Sequence, residues 1–138
     1  MQADFHDAHN RHWHDAEKLY TDSRWANADH LYGLAVECGL KQLMCEFGMA
    51  LRADGSPAIA ADRTHADQIW SRYDAYRSGY HNGASYPLPD ANPFNDWNAS
   101  QRYANQLLFD APRVEAHRRG ALAVRTLIAQ AQADGLLV

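Results

Sequence analysis

Two arginine–histidine pairs hold the residue types and spacings in this chain that suit chemistry. Arg24 and His30 lie six apart in Arg-Trp-Ala-Asn-Ala-Asp-His, and Arg113 and His117 lie four apart in Arg-Val-Glu-Ala-His. Metal-free cleavage of an RNA phosphodiester needs a base for the 2′-hydroxyl, an acid for the leaving oxygen and a cation for the phosphorane. An imidazole exchanges protons near neutral pH, and a guanidinium grips phosphate oxygens in a fork. On a helix, residues four apart share a face, so Arg113 and His117 point together. Residues six apart stand about 9 Å apart along the axis and well round it, which is loose for one centre, and a dimer could repair this by bringing the partner's residues across. The candidate catalytic residues are therefore Arg24 and His30, with Arg102, Tyr103, Arg113 and His117 as substrate contacts. Against this stands the plainer reading, with Arg24 a solvated first-turn residue and His30 a half-buried helical histidine.

Other chemistries lack their parts. Eight histidines is a high count, and His6, His9, His12 and His14 crowd the first helix with Glu17 not far away. A small-molecule or metal-binding bundle built on them is a further reading. A helical metal site, however, wants facing carboxylates, and no glutamate precedes a histidine by three. No metal and no cofactor are expected. There is no Gly-x-Ser-x-Gly elbow, phosphate-binding loop, dinucleotide fingerprint or Cys-x-x-Cys. Cys38 and Cys45 are seven apart on an apolar stripe, about 10 Å along the axis, too far for a bridge. Two buried thiols and no signal-peptide pattern suit a reducing cytoplasm.

The 138 residues form one domain, 1–138, by the usual size prior, with a net charge of −4. No global field draws such a chain to nucleic acid or to an anionic membrane, and no apolar run is long enough to span one. The basic residues are eleven arginines and two lysines, Lys18 and Lys41.

Helices must position these groups. The longest helical rhythm runs over 24–51, with Leu31, Leu34, Ala35, Cys38, Gln42 and Cys45 on its stripe. Leu40, Leu43, Met44, Phe47 and Leu51 widen that stripe, so this is the central helix. Gly33 and Gly39 within it predict close approach by neighbours, and Glu37 with Lys41 predicts a helical ion pair. A first helix over 4–20 places Phe5, Ala8, His12, Ala16 and Leu19 inward, and the turn at 21–23 supplies caps and forces a hairpin. A third helix over 64–77 carries His65, Ile69, Tyr73 and Tyr76, capped by Asp62 or Thr64. The segment 78–97 holds Tyr80, Tyr86, Phe94 and Trp97, which predict an ordered cover rather than a disordered loop. Asn98 and Gln101 form a capping box opening a short helix through Arg102 and Tyr103. Asp110 and Pro112 open the last helix, with Val114, His117, Ala121, Val124, Ile128 and Ala131 on one face. The fold class is all-α: an up-and-down bundle of four main helices plus a short helix and one long ordered loop.

The central stretch resembles the HEPN superfamily. The matching residues are Arg24, Asn27, Ala28, His30, Leu31, Gly33, Ala35, Glu37, Leu40, Lys41 and Leu43. A helix opening at His65, an Arg-Tyr-Ala segment at 102–104 and a long last helix follow in the same order. The resemblance implies a compact helical bundle, often a homodimer. Many such proteins are metal-independent endoribonucleases in toxin–antitoxin, defence and RNA-processing systems. Others are inactive partners of nucleotidyltransferases or scaffolds. Active members carry Arg-x4–6-His near the start of the last long helix; here Arg113 and His117 have three residues between them, and Arg24 and His30 have five but sit on the second helix. The expectation is a cytoplasmic HEPN-like module that dimerises and serves a protein partner such as a nucleotidyltransferase or antitoxin, with RNA as a further partner and no membrane. The alternative is an endoribonuclease using the Arg/His pair.

Overall fold

The second helix, α2 (Trp25–Glu46), is the axis of the molecule in the computed structural model, which describes residues 1–138. The helices α1 (Phe5–Thr21), α3 (Ala66–Ser78) and α4 (Ala111–Ala133) all pack on it. The fold is an all-α bundle without a strand; the only β-like feature is an isolated bridge between Leu51 and Pro57.

The hairpin of α1 and α2 turns on Ser23, whose φ of 57° places it in the left-handed region. The capping expected of 21–23 does not occur: Arg24 is the N-cap residue and makes no side-chain capping bond. The inner face of α1 is His9, Trp13 and Ala16, whereas His12 is only half-buried. His9 displaces the expected face because its Nδ1 reaches the Ala35 carbonyl, 2.7 Å away, while the Trp13 ring fills the space beside Tyr32.

The inner face of α2 keeps Ala35, Leu40, Leu43, Met44 and Phe47 of the expected stripe but is turned at its first half. Ala28, Tyr32, Val36, Leu40, Leu43 and Met44 are buried, while Leu31, Leu34, Cys38 and Cys45 lie on the flanks. Small residues are the reason: a Cβ on Gly39 would fall 2.7 Å from both His9 Nδ1 and Val124 Cγ1, so α1 and α4 close in where side chains are missing. Glu37 and Lys41 form the expected pair at 2.8 Å. The helix stops at Glu46 rather than continuing to 51, because Gly48 breaks it at φ 94°.

His65, not Asp62 or Thr64, is the N-cap residue of α3. Asp62 is instead buried, taking Arg72 Nε and Tyr76 OH at 2.6 Å each. The long loop is ordered cover, as its aromatics predict: Tyr86, Phe94 and Trp97 are buried and Tyr80 half-buried. Tyr73 OH and Trp70 Nε1 donate to the carbonyls of Tyr86 and Pro89 and tie it to α3. The short helix is present as a 3-10 segment, Ala99–Tyr103; its capping box forms, and extended Ala104 ends it. A second 3-10 turn, Gln106–Leu108, leads into α4. Asp110 caps α4 through Arg113 N, and Val114, His117, Ala121, Val124, Ile128 and Ala131 are all buried.

Candidate functional site

Three elements meet at His117. Its Nδ1 lies 2.5 Å from Asp29 Oδ1 on α2, and its Nε2 lies 2.7 Å from Asp96 Oδ1 at the end of the long loop. A carboxylate oxygen faces each ring nitrogen, and a ring that donates through both nitrogens is an imidazolium. The Phe94 ring stacks on it, 5.0 Å between centroids. Asp29 is fully buried, and its Oδ2 accepts from Gln101 Nε2 at 2.7 Å. The carbonyl of Asp29 accepts the Trp97 indole N–H at 3.0 Å.

Arg113, one turn before His117, completes the set. Its Nη1 donates to Asp96 Oδ2 at 3.1 Å and its Nη2 to the Asp96 carbonyl at 2.5 Å. Its Nε sits 3.6 Å from Asp29 Oδ2 without a hydrogen bond, and the guanidinium lies over Phe109. Two carboxylates thus face one guanidinium and one imidazolium, and the charges balance. Burial by itself would lower the His117 pKa, but the hydrogen bonds and charges of Asp29 and then Asp96 outweigh it and raise the value. Burial likewise pushes the Asp96 carboxyl upward, but His117 and the Arg113 charge bring it below its ordinary value. In this state His117 holds a proton between two acceptors and has no lone pair with which to take another.

The remaining candidates lie elsewhere. His30 stacks parallel on Trp97 at 5.7 Å, and its Nδ1 is buried without a partner. Burial lowers its pKa, with the Arg102 cation the next contributor. Arg102 itself lies over the exposed Tyr103 ring and donates to the Ala99 carbonyl. Arg24 is exposed on the rim of a groove of about 360 Å³, with Trp25, Asn27, Leu107 and Phe109. The fold therefore joins Arg113 with His117 and sets Arg102 in the field of His30, while Arg24 lines the groove with Phe109.

Among the first-helix histidines, His9 is sealed in the core, donating to Ala35 and facing Arg125 Nη1 at 3.3 Å through Nε2. Burial lowers its pKa to about 4. No group of three or more His, Cys, Asp or Glu residues is arranged to hold a metal ion. Burial pushes the Cys38 thiol up to about 12 and the Cys45 thiol to about 11, which keeps both protonated and unreactive.

Asp29, Asp96, Gln101 and Trp97, which build the site around His117, carry no role in a reading of the two Arg/His pairs. Asp29 had a signal: an acid three residues before Tyr32 on the inner face of the most apolar helix calls for a buried partner. Asp96 had none, because nothing in a proline-rich loop fixes which residue returns to a helix. No family model, no curated protein and no solved structure matches the chain. No helix is long and apolar enough to cross a membrane.

Proposed function

We propose that this chain is a dimerising, HEPN-like binding module, an accessory member of a toxin–antitoxin or defence pair rather than a ribonuclease. The observation that carries this reading is an exposed apolar rim. Tyr103, Leu107 and Leu108 are 79%, 87% and 70% exposed within six residues, and Leu107 lines a groove with Trp25 and Phe109. Apolar side chains clustered like this on a soluble bundle mark a contact surface. A knob beside a groove on one face is self-complementary about a two-fold axis, since each copy offers what the other needs. The ribonuclease alternative has weaker support, because Arg113 and His117 are engaged by aspartates.

Sedimentation of the chain alone, beside Leu107→Asp and Leu108→Asp variants, tests the reading. A dimer that both substitutions dissociate without loss of helicity is the expected result. A wild-type chain that stays monomeric would overturn the dimer, and RNA cleavage abolished by His30→Ala would restore the ribonuclease.

A further inference from the structure

We propose that the Asp96 carboxylate is an internal stand-in for an external oxyanion, a phosphate or carboxylate group, held by His117 Nε2 and Arg113 Nη1. The inference concerns a ligand site and is independent of dimerisation.

The geometry is that of an occupied anion cradle. One carboxylate spans the two donors, Oδ1 at 2.7 Å from the imidazolium and Oδ2 at 3.1 Å from the guanidinium, as a bound ligand would. Asp29, on the opposite ring nitrogen, is fully buried and built in; the Asp96 side chain is 61% exposed and sits on a loop. Its main chain has little freedom, because Phe94 and Trp97 on either side are buried and Arg113 Nη2 holds the Asp96 carbonyl. Only the carboxylate can leave, by rotating about its own side-chain bonds.

Electrostatics favour a replacement. With Asp96 in place the four charged groups cancel. With its carboxylate turned to solvent, Arg113 and His117 face Asp29 alone, and one positive charge is left over at the solvent-facing end of the site. An incoming anion restores the balance without moving the backbone. Beside the cradle, Asp96 and Arg113 line a hollow of about 290 Å³ that opens to solvent, together with Asn98, Ser100, Gln101 and Phe109. The Asn98 amide and the Ser100 hydroxyl bring donors suited to the outer oxygens of a phosphate.

The experiment is calorimetric titration of inorganic phosphate, and separately of acetate, into the wild type, Asp96→Ala, Asp96→Asn and the double variant Asp96→Ala/Arg113→Gln. Measurements are made at mildly acidic pH, where His117 carries its proton. The expected result is one site in both single variants, at least about tenfold tighter than in the wild type, and lost in the double variant. The tighter of the two anions identifies the group the cradle takes. Single variants that bind neither anion better than the wild type would overturn the proposal, as would binding that survives in the double variant. Should the alanine variant fail to fold, the asparagine variant is read by the same criterion, since it keeps the volume and removes the charge.

Discussion

The indole of Trp97 lies directly on the backbone of Gly33, and a Cβ there would fall within the ring. The same indole donates to the Asp29 carbonyl one turn earlier. One side chain thus fills a notch in α2 and fixes the helix beside the counter-ion of His117. Gly33→Ala is therefore expected to destabilise the fold even though alanine favours a helix, and Trp97→Ala to cost about 3 kcal/mol or more. Chemical denaturation of both variants checks this; a Gly33→Ala protein as stable as the wild type would mean the indole is free to move.

The two aspartates of the site are expected to differ in worth. Asp29 is buried, so Asp29→Asn leaves His117 and Arg113 short of a charge inside the fold, at a cost of about 3 kcal/mol. Asp96 is mostly exposed and screened by water, so Asp96→Asn is expected to cost about 1 kcal/mol or less. Equal losses in urea melts would contradict the division between a built-in and a displaceable carboxylate.

Stability is expected to fall on both sides of neutrality. His9 is held neutral, with its pKa depressed to about 4, so its contribution is present above about pH 6.5 and lost as pH falls towards 4. The full depression corresponds to about 3 kcal/mol. His117 has the opposite sign: its raised pKa gives a contribution present below about pH 6.5 and lost as pH rises through the folded-state value. Melting temperatures across pH check the pair, with His9→Gln expected to flatten the acid limb and leave the alkaline one.

Much of the fold was legible because helix periodicity and caps are local. The α4 face from Val114 to Ala131 reads directly from spacing, and the Asn98–Gln101 box forms as its residues indicate. The inner faces of α1 and α2 were legible only in part: Ala16, Ala35, Leu40, Leu43, Met44 and Phe47 are buried as their spacing indicates, but His9, Trp13 and Tyr32 were not placed there. The close approach at Gly33 and Gly39 was expected, but which side chains fill those notches, and that His9 finds the Ala35 carbonyl, depend on partners distant in sequence. The site was half legible for the same reason. Arg113 and His117 share a helix face, but Asp29 and Asp96 lie 88 and 21 residues from His117 in sequence.

The two cysteines are expected to be slow towards thiol reagents in the native protein, since burial holds Cys38 and Cys45 well above the ordinary thiol range. Labelling with a chromogenic disulfide under native and unfolding conditions checks this. Fast native labelling of either thiol would show that the flank of α2 opens readily.

The most direct test of the account is the protonation state of His117, on which both the assignment of the Arg113–His117 pair and the anion cradle depend. Nitrogen NMR of isotope-labelled histidine, assigned by comparison with His117→Gln, reads each ring nitrogen separately. The expected result at neutral pH is an imidazolium protonated at both Nδ1 and Nε2, titrating above the ordinary histidine value. A neutral ring with an unprotonated Nε2 at that pH would contradict the account and leave His117 free to act as a base.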